Sequence, residues 1–164
     1  MPAPILTQIE AAMKALIEST TVAGGYNYEW GTVNQPDLAR CTYPTAEIIL
    51  SSEVNLDEVE GAHANAYMNE AEFLIRVTGE NAAEDADSPV YAINAIHNLA
   101  LDDLKKLFGT NYSLSDTADM IMYQGMQRVT STAGDIFVPG HIETTWMVRY
   151  SQDRQTPTTR GDDP

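Results

Sequence analysis

The sequence HIETTWMVRY, residues 141–150, decides the fold of this chain. Its side chains alternate and divide into two sets: Ile142, Thr144, Trp146, Val148 and Tyr150 on one side, and His141, Glu143, Thr145, Met147 and Arg149 on the other. A period of two residues is typical of a strand in a sheet that packs against a core on one face. We therefore predict a strand over residues 141–150 in a sheet-based domain.

Three earlier stretches also have strand patterns. Residues 26–33 alternate with large rings on one side, residues 45–51 form a short β-branched run, and residues 66–78 alternate over a longer span. In the longest of them one face collects the apolar side chains Ala71, Phe73, Ile75 and Val77. Enrichment in β-branched and aromatic residues is typical of strands. Residues 52–64 are acidic without strong periodicity, so we predict a loop there.

Residues 119–131 differ from the other predicted strands because both of their faces are apolar. Strict alternation places Met120, Met122 and Met126 on one face, and Ile121, Tyr123 and Val129 on the other. Two helices can cover one face of a sheet, and the second face then needs another cover. Methionine is a flexible side chain suited to adaptable contacts. We therefore predict a second sheet surface or a neighbouring subunit on that face, with core packing of each methionine as the alternative.

Two stretches have the spacing of amphipathic helices. Residues 5–19 carry an apolar stripe that recurs every three to four residues, at Ile5, Ile9, Met13 and Leu16, as the buried face of a helix does. Residues 89–108 form the second predicted helix. Ser88 has the side chain of an N-cap, Pro89 suits the first turn, and Gly109 suits the position just past the C-terminus.

The predicted order is helix, three strands, helix and two strands. Strands in runs, rather than alternating with helices, indicate the α+β class, here a mostly antiparallel sheet of about five strands covered by two helices. We predict one α+β domain over residues 1–151 and a flexible polar tail over residues 152–164. No stretch is long and apolar enough to cross a bilayer, and the N-terminal residues lack the basic start of a signal peptide. We therefore expect synthesis in the cytoplasm and no contact with a membrane.

The charge balance excludes one class of partner. The chain has 24 acidic and nine basic residues, for a formal charge of −15. Ten of the acids, and one base, lie between residues 53 and 87. Sustained binding to phosphate backbones needs clusters of Lys and Arg, and the sequence has none. A solvated acidic face is the simplest interpretation; a surface that repels a polyanion or docks a basic partner is the alternative.

The sequence carries no pattern typical of catalysis or cofactor binding. Cys41 is the one cysteine, which excludes a disulfide framework and a thiolate metal set. The three histidines, His63, His97 and His141, lack the spacing of metal ligands. His141 and Glu143 share a strand face, but the sequence places no nucleophile beside them. We predict no catalytic, cofactor-binding or metal-binding residues, no cofactor and no enzymatic activity.

Taken together, these elements resemble the tail-terminator, or tail-completion, proteins of long-tailed bacteriophages. The resemblance includes the helix over residues 5–19, the strand over residues 26–33, the segment YPTAEII at residues 43–49, and the helix over residues 89–108 before two closing strands. The chain then closes with WMVRY at residues 146–150 and the polar stretch QDRQTPT at residues 152–158. The likeness covers residues 5–158 and depends on size and element order rather than on one motif.

The resemblance implies a structural role in the virion. Proteins of that family form a ring, usually of six subunits, which caps the head-proximal end of the tail tube and joins the tail to the neck. They have no active site, and DNA passes through the ring without being bound. The implied partners are further copies of this chain, the tail tube protein and a neck or connector protein. An acidic lumen would let DNA slide, and the predicted loops at residues 52–64 and 132–140 are expected to touch neighbours or the lumen.

Three alternatives stay open at this point. The first is another neck or tube component of a phage. The second is a small α+β enzyme or ligand-binding module, with a pocket between the second helix and the sheet that is rimmed by Tyr26, Tyr28, Trp30 and Trp146. The third is an acidic adaptor that docks a basic partner, whose binding would weaken with added salt.

Overall fold

A computed structural model describes residues 3–30, 32–34, 44–56, 66–79, 89–129, 141–153 and 155. Within these residues the chain forms two helices and five strands. The helices are α1 (Ile5–Glu18) and α2 (Pro89–Thr110), and a short 3-10 turn spans Val22–Gly24. The strands are β1 (Thr32–Val33), β2 (Thr45–Asn55), β3 (Ala66–Thr78), β4 (Met120–Val129) and β5 (His141–Asp153).

The strands form one sheet in the order β1-β2-β3-β5-β4. Strands β2, β3, β5 and β4 pair antiparallel, whereas the two-residue β1 pairs parallel to the start of β2. The central pair is the most regular, because β3 and β5 remain in register from Ala66 opposite Asp153 to Thr78 opposite His141. The predicted α+β class, with a mostly antiparallel sheet of about five strands and two helices, is confirmed.

Both helices pack on one face of the sheet and form the hydrophobic core with it. The alternating faces predicted for β3 and β5 are confirmed, since the core includes Ala71, Phe73, Ile75, Val77, Ile142, Trp146, Val148 and Tyr150. Helix α1 contributes its buried stripe of Ile5, Ile9, Met13 and Ile17. The fully buried Thr144 is satisfied, because its hydroxyl donates to the Ile75 carbonyl (3.1 Å) and accepts from the Trp146 indole N–H (2.8 Å).

The predicted strand over residues 26–33 is wrong for residues 26–30 and confirmed for residues 32–33, while residue 31 lies outside the described residues. Residues 26–30 are not in a strand, because helix α2 binds their backbone. The Asp103 carboxylate accepts hydrogen bonds from the backbone N–H groups of Asn27 (2.8 Å) and Tyr28 (3.0 Å). The Lys106 ammonium donates to the Gly25 carbonyl (2.8 Å). The Trp30 side chain is nevertheless buried, as the pattern predicted.

Strand β2 is longer than predicted. It runs past the predicted end at residue 51 to Asn55, through an irregularity between Leu50 and Ser52, and remains paired with β3. The first four residues of the predicted 52–64 loop are therefore strand. Residues 57–64 of that loop, and the predicted 132–140 connection, lie outside the described residues.

The end of helix α2 is also different from the prediction. Gly109 lies inside the helix, which continues to Thr110. The last carbonyls are bonded by side chains: the Thr110 hydroxyl donates to Lys106 (2.9 Å) and the Asn111 amide donates to Leu107 (2.8 Å). These side chains take the place of the glycine termination expected at residue 109. The predicted Ser88 cap lies outside the described residues.

A β-bulge in β4 changes which side chains share a face. The register shifts between Tyr123 and Gly125, so one extra residue interrupts the period of two. Met122 lies opposite Met147 on the face away from the helices, whereas Met126 lies opposite the buried Thr144. The predicted common face of Met120, Met122 and Met126 is therefore wrong, and Val129 likewise lies on the face opposite to that of Ile121 and Tyr123.

Strand β5 continues into the segment predicted as a tail. It includes Gln152 and Asp153, and the Asn69 side-chain amide donates to the Gln152 side chain at 3.3 Å. Residues 154 and 156–164 lie outside the described residues. The predicted division between a domain over residues 1–151 and a tail over residues 152–164 stays a prediction.

Candidate protein-interaction surface

The face of the sheet opposite the helices, here called the outer face, has two apolar pairs at its centre, here called the apolar centre, with Glu72 opposite Met147 and Thr145 opposite Leu74 beside them. Ile49 lies beside Leu74 across β2 and β3, and Met147 lies beside Met122 across β5 and β4. All four side chains are half-buried. None belongs to the core cluster that contains both helices, or to the side chains packed against that cluster. Among the described residues, no helix covers this centre.

Ion pairs border the apolar centre on both sides. On one side the Arg76 guanidinium bridges Glu47 of β2 (2.9 Å) and Glu143 of β5 (3.0 Å). Its hydrogen bond to Glu143 raises the pKa of Arg76, and the charge of Glu47 acts in the same direction. On the other side Arg149 of β5 contacts Glu70 of β3 at 3.2 Å. Half-exposed pairs add little stability, but they give this face a fixed pattern of charge.

A cleft of about 300 Å³ lies between the end of helix α2 and the start of strand β4. Its walls are mostly aromatic and apolar: Phe108, Gly109, Tyr112, Met120, Ile121, Tyr123 and Trp146, with Lys105 at the rim. The Lys105 ammonium lies 4.4 Å from the centre of the Tyr123 ring. Trp146 forms the floor and meets the Phe108 and Tyr123 rings edge to face, at centroid distances of 4.8 and 5.2 Å. The cleft can take an apolar side chain whose neighbour carries a negative charge.

Strand β4 is the last strand of the sheet, so within the described part of the chain no strand pairs with its outer edge. At the start of that edge the Ile121 N–H donates to the Tyr112 carbonyl (2.8 Å). Further along, the Arg128 guanidinium donates to Asn94 (2.5 Å) and Asn98 (2.7 Å) of helix α2. These bonds hold a cation beside the open edge.

The second half of β2, here called the β2 arm (residues 50–55), is exposed along its whole length. Strand β1 pairs only with Thr45 and Ala46, and the Asn34 side chain accepts from the Ile48 N–H (2.6 Å). Beyond that bond no described strand pairs with the outer edge of β2. The arm presents Leu50, 44% exposed, and Val54, 56% exposed.

A side-chain hydrogen bond joins the β2 arm to the core, in addition to the pairing of the arm with β3. The buried Tyr150 hydroxyl donates to the Glu53 carboxylate. Burial, followed by this hydrogen bond, raises the pKa of Tyr150 well above its usual value. Glu53 itself is exposed.

Of the residues considered for catalysis or metal binding, the structure brings one pair together. His141 and Glu143 are brought together, with 3.6 Å between Nε2 and Oε1, but the same Glu143 oxygen also accepts from Arg76. His97 is buried on helix α2, and His63 and Cys41 lie outside the described residues. Within the described residues no group of three or more His, Cys, Asp or Glu side chains is arranged to hold a metal ion.

The pocket predicted for a ligand-binding module differs from the cleft that forms. Of its four predicted rim residues, Trp146 lines the cleft, while Tyr26, Tyr28 and Trp30 are not among the lining residues described. Tyr26 instead lies under the Lys106 ammonium, 4.7 Å from its ring centre. The sequence missed the cleft because its two walls, α2 and β4, come together only through the fold. The β-bulge in β4 could have been indicated by Gly125, because a glycine inside a strand pattern often marks a bulge.

Comparison with known proteins gave no relative: no family model matches the chain, and no match was found among curated proteins. As for membranes, neither helix of the described residues combines the length and the apolar character that a span requires. The interaction surfaces above are therefore the basis for assigning a function.

Proposed function

We propose that this protein is a structural subunit that assembles with copies of itself into a ring, as a tail terminator of a long-tailed bacteriophage. In that role the ring sits in the virion at the head-proximal end of the tail tube, contacts the tube protein, and joins the tail to the neck. The observation that carries the proposal is the outer face of the sheet, whose apolar centre lies between two sets of ion pairs.

The physical argument starts from the apolar centre. Burying apolar surface contributes roughly 25 cal/mol per Å², so covering Ile49, Leu74, Met122 and Met147 favours association. The bordering charges add little affinity but select the partner and fix its orientation. A structural interface needs both properties. The charge of −15 also suits a ring through which DNA moves, because excess carboxylates repel the phosphate backbone.

The test of the proposal combines mass measurement with a variant of the outer face. We expect the wild-type protein to elute as a closed oligomer in size-exclusion chromatography with light scattering, and to appear annular in electron micrographs. Met147→Glu places a charge in the apolar centre and should weaken assembly at least about tenfold. Leu99→Glu is the matched control, because Leu99 is exposed on helix α2, and it should assemble normally.

The proposal is overturned if the wild-type protein is a strict monomer at high concentration and does not cap purified tail tubes. Normal assembly of Met147→Glu with an unchanged melting temperature would remove the outer face as its basis.

A ligand-binding module is the second candidate, and the aromatic cleft is the observation that favours it. Its four rings and one ammonium group suit a small apolar molecule with a carboxylate. A thermal-shift screen of aromatic carboxylates tests this function. A stabilising compound whose effect is lost in Lys105→Met would support it, and no stabilisation by any of them would count against it.

A further inference from the structure

We infer that the β2 arm of one subunit docks along the open edge of strand β4 of a second copy, beside the aromatic cleft. This contact rests on the proposed ring and adds a second surface, the two sheet edges, to the outer face that assembly would bury. The inference depends on three observations: an exposed donor segment, an open acceptor edge with a cleft, and opposite charges on the two.

The donor is the β2 arm. No described strand pairs with the outer edge of its residues 50–54, and an edge of this kind can take up a further strand. Leu50 and Val54 expose apolar surface. This surface adds no burial energy to the fold of a single subunit. An exposed strand with apolar side chains pairs readily with another edge.

The acceptor is the edge of β4 together with the cleft beside it. The cleft opens next to Met120, Ile121 and Tyr123 of this strand. A docked strand would therefore meet an apolar recess at one end of the edge. An anchor side chain in a recess, next to main-chain pairing, is the usual way in which a sheet edge recognises an added strand.

The charges of donor and acceptor are complementary. Strand β2 contains Glu47 and Glu53 and no basic residue. Strand β4 contains Arg128 and no acidic residue, and Lys105 stands over Tyr123 of the same strand. In a chain with 24 acids and nine bases, a strand free of acids beside two cations is a site suited to an acidic segment. The occupant that fits is a second copy of this chain.

The topology makes this contact a head-to-tail one. Strands β2 and β4 lie toward opposite edges of the sheet, separated by β3 and β5. When the donor edge of one copy meets the acceptor edge of the next, each subunit still has one edge of each kind available. A heterologous contact of this type propagates from copy to copy, and it closes as a ring when the rotation between neighbours divides a full turn. Pairing of β4 with β4 would stop at a dimer.

Disulfide trapping tests the contact directly. The double variant Val54→Cys with Tyr112→Cys, in a Cys41→Ser background, places one thiol on the donor and one beside the cleft; both native side chains are exposed. The two strands are three strand spacings apart within one subunit, about 14 Å, which is too far for a disulfide within a chain. Mild oxidation should therefore give a ladder of covalent oligomers up to the size of the ring. Val54→Cys with Leu99→Cys is the matched control and should give no ladder.

Variants with reversed charge provide a second test of the contact between the β2 arm and strand β4. Lys105→Glu should weaken assembly about tenfold, which corresponds to about 1.4 kcal/mol. Adding Glu53→Lys should restore assembly, because the pair is then attractive again. The melting temperature of each single variant checks that it folds. If Glu53→Lys does not fold, Glu53→Gln replaces it and should restore assembly in part, because it removes the repulsion between two carboxylates.

The outcomes separate this contact from the proposed function. A wild-type protein that never self-associates overturns both. Rings that form without the ladder, and that do not respond to Lys105→Glu, overturn the β2–β4 contact and leave the ring in place. A ladder together with rescue by the double charge reversal establishes the contact.

Discussion

Asp103 of helix α2 accepts hydrogen bonds from both the backbone N–H and the side-chain amide of Asn27, each at 2.8 Å. The two residues are 76 positions apart in the chain, and Asp103 is buried. This carboxylate therefore fixes the path of the chain between helix α1 and the sheet, where a strand had been predicted.

Asp103→Asn should destabilise the fold by about 2–3 kcal/mol, because an amide places a donor group among N–H donors and leaves buried donors unsatisfied. The measurement is the urea midpoint followed by circular dichroism. Asp102→Asn is the control, since Asp102 is exposed on the same helix, and its effect should stay within about 0.5 kcal/mol. Equal effects of the two variants would contradict the role given to Asp103.

Gly79→Ala should destabilise the protein by about 1–3 kcal/mol through overpacking. A Cβ at position 79 would lie 2.8 Å from the Ile96 Cγ2 atom, so the end of β3 and helix α2 would have to separate. Gly109→Ala is the opposite case: nothing lies within 4 Å of its Cβ, and alanine favours a helix by about 1 kcal/mol. Thermal melting should therefore shift down for the first variant and up for the second.

Thr144→Val should cost about 1–3 kcal/mol, because the buried Trp146 indole N–H would lose its acceptor. The change keeps the volume and the β-branched shape, so lost packing contributes little. Thr145→Val, on the half-buried outer face of the same strand, is the matched control and should be nearly neutral. Chemical denaturation of the two variants side by side gives the comparison, and a neutral Thr144→Val would show that the indole is satisfied in another way.

Stability should decrease in alkali through Tyr150. The pKa of this hydroxyl is raised above its usual value of 10.0 by burial first and then by its bond to Glu53. A pKa raised in the folded state means that the stabilisation is complete below pH 10 and is lost as pH rises from there toward the folded-state pKa. Tyr150→Phe removes this titration. The difference in unfolding free energy between wild type and Tyr150→Phe should therefore shrink from pH 8 to pH 11, and a constant difference would contradict it.

The central strands were predictable because one rule governs their whole length. In β5 and β3 every second side chain enters the same core, so Trp146 and Phe73 are placed correctly by counting alone. Residues 26–30 have the same alternating pattern, yet the backbone N–H groups of Asn27 and Tyr28 bond to Asp103 instead of to a strand. A contact across 76 positions leaves no trace in the local pattern.

The candidate interaction surfaces were less predictable than the core. Apolar side chains expected on the second face are present on the outer face, but one extra residue near Gly125 places Met126 on the face that packs against the core and Val129 on the outer face. Residues 52–55 of the exposed β2 arm were predicted as loop, because a strand that packs against nothing on either face has no alternation of polar and apolar side chains. Alternation of polar and apolar residues predicts which side chains are buried within one subunit. The interaction surfaces are not buried within the subunit, so this alternation does not reveal them.

The β2 arm has a consequence for how this protein can change over time. Its residues are exposed along the whole segment, so local opening there costs far less than global unfolding. Apart from Glu53, which binds the buried Tyr150 hydroxyl, substitutions in the arm should therefore leave the free energy of folding almost constant. In the proposed ring, such substitutions would change which neighbour is recognised without unfolding the subunit.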